Sequence, residues 1–479
     1  MKGLLIDGQL VEAPRTTVSY NPTTGEVLGE APDATVEQAK AAVAAARRAF
    51  DTTDWSTNVE FRIRCLRQFH GGLVKHREEL RELTIAEVGH PRQMTYGPAL
   101  DVPIDIVKYY TDLLEGFAFT EELPEVESYG IKNRRWVEKE PAGVVSAIIP
   151  YNYPTQIALA KVAPALAAGC TVILKGAPQT PLITLALGEI IANETDIPAG
   201  VVNVITSPSV EVAEVLTSDP GVDMITFTGS TPVGRRIMEV ASKTVKKVFL
   251  ELGGKSALIA VDDADADFLA LVATMAICSH AGQGCAVTSR LLVPSSRKDE
   301  FVEKVKAAIG NVVVGDPKLA ETYVGPLISA EQREKVDAMV QRAVAAGATL
   351  VAGGQSIDGP GYFYAPTVLA DVDPNSEIAQ DEVFGPVLTV IEYADDDEAV
   401  AIANNSIFGL SGSVFGADDD RAIAIARRIR TGTVSVNGGI WFAPDSPFGG
   451  YKQSGIGREM GVAGLEEFFE RKTLAVPAR

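Results

Sequence analysis

Between residues 144 and 261 the chain alternates short apolar, β-branched runs with segments of helical spacing, and no other feature limits the possible folds as much. The runs at 144–149, 171–174, 201–205, 224–227 and 248–250 have strand length and composition. The segments between them, 156–168, 181–193, 209–217 and 232–242, carry apolar residues at i, i+3 and i+4. A helical crossover brings the chain back to run in the same direction, so these strands must form a parallel sheet with helices on both faces. Ligands of such sheets bind beyond the carboxyl ends of the strands. The alternation restarts after Lys255, with strands expected at 256–261, 289–293, 386–393, 411–415 and 433–436 and helices at 264–280, 297–309, 329–346, 396–404 and 418–430. It does not align on the first unit as a repeat. With 479 residues, two or three domains of about 150 residues are expected.

The flanking segments are of other kinds. Residues 4–30 read as short strands and turns, Thr35-Val36-Glu37-Gln38 is a capping box opening a helix that runs to Phe50, and a further helix spans about 60–83. Residues 126–141 form a polar hairpin pattern, and 473–476 have strand composition but are too few to fold alone. A net charge of −20 excludes an electrostatic footprint for nucleic acid or anionic lipid. Asp7 interrupts the N-terminus before a secretory apolar core can build, and no run approaches the roughly 18 apolar residues of a membrane span. The reading is a cytoplasmic protein with no nucleic acid or membrane partner. Cys65, Cys170, Cys278 and Cys285 show no C-x-x-C spacing, and His70, His76, His90 and His280 no H-x-x-x-H, so neither disulfides nor a metal site is expected.

Four stretches carry chemistry. In Ser279-His280-Ala281-Gly282-Gln283-Gly284-Cys285-Ala286 a glycine-rich turn delivers one thiol between a helix and a strand, with its own N–H available to an oxyanion; read alone, Cys285 is more often a small buried hydrophobe, by roughly four to one. Phe227-Thr228-Gly229-Ser230-Thr231-Pro232 ends a strand and opens a helix, where free N–H groups suit a pyrophosphate, although a plain tight turn would look the same. Glu251-Leu252-Gly253-Gly254-Lys255 puts a carboxylate at a strand end, where burial would raise its pKa and fit it to take a proton from water or a thiol. In Pro150-Tyr151-Asn152-Tyr153-Pro154 the Asn152 amide is either a turn former or a second oxyanion donor.

Together with Lys175, Glu382-Val383-Phe384-Gly385-Pro386 and Pro447-Phe448-Gly449-Gly450-Tyr451-Lys452, these stretches occur in an order and at spacings that resemble the NAD(P)-dependent aldehyde dehydrogenases across nearly the whole chain. The resemblance implies an α/β fold with a Rossmann-type cofactor domain (1–122 and 142–253), an α/β catalytic domain (254–453), and an oligomerisation segment (123–141 and 454–479) that joins copies into a dimer or tetramer. It implies Cys285 as nucleophile, Asn152 with the Cys285 N–H as oxyanion hole, Glu251 as base, and Lys161 near the proton path. Cofactor contacts are implied at Ile149, Pro150, Lys175, Gly229, Ser230, Leu252, Glu382 and Phe384. Tyr153, Ala160, Phe442 and Phe448 would line the substrate pocket, with Tyr151 and Trp441 bordering it. Pro178 stands where relatives preferring NAD often carry a glutamate, so NAD with NADP tolerated is expected. No Arg or Lys occurs from 436 to 451, which disfavours an anionic semialdehyde and favours a medium-length apolar or aromatic aldehyde. Three rivals are a CoA-acylating relative, against which Glu251 argues, a catalytically idle descendant, and a cysteine hydrolase using His280, whose imidazole reads instead as a helix end cap.

Overall fold

The structure, a computed structural model, describes residues 3–478. The first alternating unit forms the parallel centre of an eight-stranded sheet, in the order Lys247–Glu251, Met224–Thr228, Val144–Ile148, Thr171–Gly176, Val202–Thr206. Every residue of the inner strands Val144–Ile148, Thr171–Gly176, Val202–Thr206 and Met224–Thr228 is buried, as expected for strands covered on both faces. The Val144 strand is the switch point. Later strands add on one side of it up to Val202–Thr206, and then on the other side with Met224–Thr228 and Lys247–Glu251. The segments leaving Val144–Ile148, Met224–Thr228 and Lys247–Glu251 therefore open beside one another, and a crevice forms there. Two antiparallel additions close the sheet, Leu4–Ile6 with Gln9–Val11 beside Val202–Thr206, and Gly455–Ile456 beside Lys247–Glu251.

The second unit is a seven-stranded sheet with its own core, ordered Thr349–Ala352, Thr367–Ala370, Val387–Tyr393, Thr288–Pro294, Ser256–Ala260, Gly412–Phe415, Ser435–Val436. All pairs are parallel except the first. The sequence reading lacks Thr349–Ala352 and Thr367–Ala370, each four residues long and flanked by glycine or proline.

The capping box is present, with the Thr35 side chain accepting from Gln38 N–H and the Gln38 side chain from Thr35 N–H. The helix expected over 60–83 is two, Val59–Lys75 and Arg77–Leu83. The break falls at His76, whose ring is held by Glu79 at 2.9 Å and Glu194 at 3.2 Å. The hairpin is longer than its polar pattern suggests, Thr120–Ser128 with Ile131–Pro141, and Phe469–Pro477 adds a third strand. Residues 454–468 do not accompany that strand. Gly455–Ile456 joins the first sheet, and Met460, Leu465 and Phe468 enter the core that surrounds the helix Pro154–Ala168. Among the described residues no helix is long and apolar enough to cross a membrane.

Candidate active site

At the switch point the chain leaves Val144–Ile148 through Ile149, whose N–H donates to Lys175 O at 3.1 Å, and enters the helix Pro154–Ala168 with Pro154 in its first turn. Asn152 is held between these elements and is 2% exposed. One N–H of its side-chain amide donates to Gln283 O at 2.9 Å, which leaves the second N–H for another acceptor.

Glu251 ends its strand with its backbone carbonyl accepting from Gly229 N–H at 3.1 Å. The two glycines that follow allow a close approach that no side chain could. A β-carbon on Gly253 would lie 2.6 Å from Glu382 Oε2, and one on Gly254 would lie 2.3 Å from Cys285 O. The thiol, which enters from the other domain, is thereby brought against the end of the Glu251 strand. Cys285 is partly exposed, whereas Cys65, Cys170 and Cys278 are buried. Its N–H has no acceptor among the described residues.

The electrostatics of the pair follow from burial. Desolvation, then the neighbouring Glu459 carboxylate, push Glu251 up to about 8, while Lys161 and a hydrogen bond from the Cys285 thiol pull the other way. Burial and the Glu251 charge hold the Cys285 thiol well above its ordinary range, so at rest the sulfur keeps its proton. Lys161 is fully buried, with Nζ 2.5 Å from Glu459 Oε1 and 3.0 Å from Thr226 Oγ1. Glu459 was not legible in the sequence, because 208 residues separate it from Glu251 and no local pattern marks it.

Two cavities meet here, and the residues common to both linings are Asn152, Glu251 and Cys285. The first, about 200 Å³, is bordered by Pro150, Gly229, Ser230, Leu252, Glu382 and Phe384, all expected on the cofactor side. Tyr151 faces this cavity instead of the substrate side where the sequence reading put it. Thr228, Gln332 and Lys335 border it as well and were missed. The cavity fits a pyrophosphate-bearing ligand in two respects. The 11-residue helix Thr231–Ala241 presents its N-terminus with no side-chain cap, and the buried Thr228 Oγ1 has no partner among the described residues. Glu382 accepts from Gly254 N–H at 3.0 Å, and desolvation raises it to about 6. Ile149 and Lys175 do not border the cavity. Lys175 is buried one strand over, its pKa lowered to about 8 by desolvation, with Nζ donating to Gly176 O at 3.3 Å.

The second cavity, about 320 Å³, is bordered by Tyr153, Phe442 and Phe448, as expected. Trp441 and Phe448 stack at 5.2 Å with rings 4° from parallel. Among the described residues the lining holds no Lys or Arg; its charged members are Glu251 and Glu459. Ala160 is the correction on this side. Pro154–Ala168 turns Gln156 and Ile157 to the cavity, and Ala160 lies one turn further along, packed in the core at 3% exposure. A second correction concerns His280, which caps no helix. The helix Ala266–Cys278 ends at Ser279, and His280 is buried in a stack on His90 at 3.7 Å.

Against this geometry the comparisons are specific. The model of the aldehyde dehydrogenase family matches residues 11–474. Geranial dehydrogenase of Castellaniella defragrans is 38% identical over 98% of both chains. The 3-succinoylsemialdehyde-pyridine dehydrogenase of a Pseudomonas species is 40% identical over 98% of this chain and 97% of its own. The solved structure of a cysteine-to-alanine mutant of aldehyde dehydrogenase C from Pseudomonas syringae, in complex with NAD+ and octanal, is similar with a TM-score of 0.93 at 37% identity, covering 99% of this chain and 96% of that one.

Proposed function

The chain belongs to the aldehyde dehydrogenase family, and on that premise we propose that it oxidises a medium-length apolar or aromatic aldehyde to the acid with NAD+, through a thiohemiacetal and a thioester on Cys285. The observation that carries the proposal is the sharing of Asn152, Glu251 and Cys285 between two otherwise separate cavities. A thiol at that junction can reach a carbonyl from one side while a hydride acceptor stands on the other.

In this mechanism Glu251 takes the Cys285 proton, and the sulfur attacks the carbonyl carbon. The C–S bond forms, and the electron pair moves to oxygen, where the Asn152 amide and the Cys285 N–H hold it. NAD+, when bound, supplies the acceptor for the hydride that leaves this carbon. Gly229, Ser230 and Glu382 would hold the nucleotide, with Ile149, Pro150, Lys175, Leu252 and Phe384 behind or beside them. Glu251 releases the thiol proton toward the Lys161–Glu459 pair and then draws a proton from water, the water oxygen attacks the thioester, and the thiolate leaves as the acid forms. The Lys161–Glu459 pair offers that proton a way out of the buried site.

A cavity whose charged lining groups are carboxylates and whose walls are aromatic disfavours an anionic aldehyde, and the names of the geranial and octanal relatives agree with an apolar one. Pro178 is exposed where it follows the Thr171–Gly176 strand and brings no charge against a 2′-phosphate, so NADP is tolerated. We assign residues 1–122 and 142–253 to cofactor binding and 254–453 to the catalytic unit, in a cytoplasmic dimer or tetramer. The hairpin at 123–141 is the assembly surface, with Val126, Tyr129, Ile131 and Val476 exposed on its sheet. The test is a panel of octanal, hexanal, benzaldehyde and succinic semialdehyde with both nucleotides. A preference for succinic semialdehyde overturns the substrate class, and an NADP specificity constant more than about a thousandfold below that for NAD overturns the cofactor reading.

A further inference from the structure

Behind Asn152 lies a cluster that the mechanism above does not use. His90 and His280 are 0% and 1% exposed and stack with ring centroids 3.7 Å apart, 24° from parallel. Tyr153 packs against both, at 4.8 Å and 5.4 Å. His90 Nε2 lies 2.8 Å from Asn152 O, so the ring donates there and carries its single proton on Nε2. Burial lowers both imidazoles, His90 to about 4, so the stack is neutral. Neither nitrogen of His280 has a partner among the described residues, which means that His280 contributes a ring face and not a hydrogen bond.

His280 also begins the strained part of the nucleophile loop. His280, Ala281 and Gly282 are left-handed in succession, with φ of 47°, 51° and 73°. Two of these carry side chains that disfavour the conformation. Gly282 has no alternative, since a β-carbon there would lie 2.0 Å from Gly385 O. The loop then reaches Gln283, whose carbonyl accepts from Asn152 and whose Nε2 donates to His280 O at 3.2 Å. Asn152 is thus gripped at its carbonyl by the His90 ring and at its amide by Gln283, whose side chain is tied to the backbone carbonyl of His280.

We propose that His90 and His280 are positioning residues, a neutral ring-on-ring clamp across the two domains that sets Asn152 and the Cys285 N–H at the distance one oxyanion requires. The proposal rests on the aldehyde-oxidising reading above. Turnover by the wild type tests that reading, and variant-to-wild-type ratios test the clamp.

In the full-length protein, His90→Phe keeps the ring and removes the donor. It is expected to lower kcat with octanal about 30-fold, with KM and NAD+ affinity within about threefold, because a displaced donor costs the transition state and not the ground state. His90→Gln returns an N–H and should recover at least about a third of the wild-type kcat. His280→Ala should lower kcat about tenfold, and His280→Phe, which restores a ring, should recover most of that loss. Iodoacetamide alkylation of Cys285 needs neither aldehyde nor nucleotide, and its rate should shift about fivefold in His280→Ala and return in His280→Phe. The clamp is overturned if Gln rescues no better than Phe at 90, if Phe rescues no better than Ala at 280, or if kcat falls only in step with melting temperature and NAD+ affinity. Should His90→Phe fail to fold, His90→Gln and the two His280 variants decide the matter by the same criteria.

Discussion

The two cavities that meet at Cys285 are built in opposite ways. Much of the cofactor side comes from the ends of three adjacent strands of one sheet, at Pro150, Thr228, Gly229, Ser230, Leu252 and Gly253, joined by Gln332, Lys335, Glu382 and Phe384 from the other domain. The substrate side is made of side chains from distant segments, among them Pro98, Ile157, Val272, Trp441 and Phe448. A surface that is tied to the ends of the sheet tolerates little change. A surface of side chains can vary without disturbing the sheet. The difference explains how one catalytic junction serves a fixed cofactor and a variable aldehyde.

That contrast breaks most sharply at the three shared residues. Cys285→Ala is expected to remove NADH formation by about 10³-fold or more while NAD+ binding persists, measured by initial rates and nucleotide titration; retained turnover would deny the covalent route. Asn152→Ala should lower kcat about 10²-fold with either nucleotide and with every aldehyde, because it withdraws an oxyanion donor. Glu251→Gln should also cost about 10²-fold, and it should slow the first turnover of NADH as well as the steady state, since both the thiol and the hydrolytic water lose their base.

The pH profile sharpens the same point. Glu251 is raised to about 8 by burial, so below that pH its carboxyl already holds a proton and cannot take one from water. In the wild type kcat should rise as pH passes through about 8, and Glu251→Gln should lose that inflection. Variants confined to one cavity should move one substrate only. Trp441→Ala, which removes the partner of the Phe448 stack, should raise KM for octanal about tenfold and leave KM for NAD+ within about twofold. The smallest effect is on the nucleotide side: Pro178→Glu should lower the NADP specificity constant about fivefold and leave that for NAD within about twofold. An equal loss with both nucleotides would mean that the position does not face the ribose.

The cofactor side was the more legible of the two. Many of its residues sit at the ends of strands that local periodicity reveals, in the glycine-bearing turns Phe227–Ser230 and Glu251–Gly254. Lys175 lies within the Thr171–Gly176 strand, one strand away from the cavity, with its ammonium buried. On the substrate side Ala160 looked like a wall residue by position along the helix, and the rotation of Pro154–Ala168 against the sheet gave that wall to Gln156 and Ile157. His280 looked like a helix cap because Ser279 and the left-handed turn that follows cannot be read as a stop.

By itself the sequence determined the parallel α/β sheets and the capped helices, because these depend on periodicity and turn chemistry within a few positions, and it pointed to Cys285, Glu251 and Asn152 only through their resemblance, taken together, to one family. The tertiary structure alone decided that Glu459 pairs with Lys161 beside Glu251, that Gly455–Ile456 extends the first sheet, that His90 stacks on His280, and that the two cavities share three residues. Contacts of that kind join residues tens to hundreds of positions apart, and which of them form is fixed by how two cores pack and what their burial does to charge, neither of which leaves a local trace in the chain.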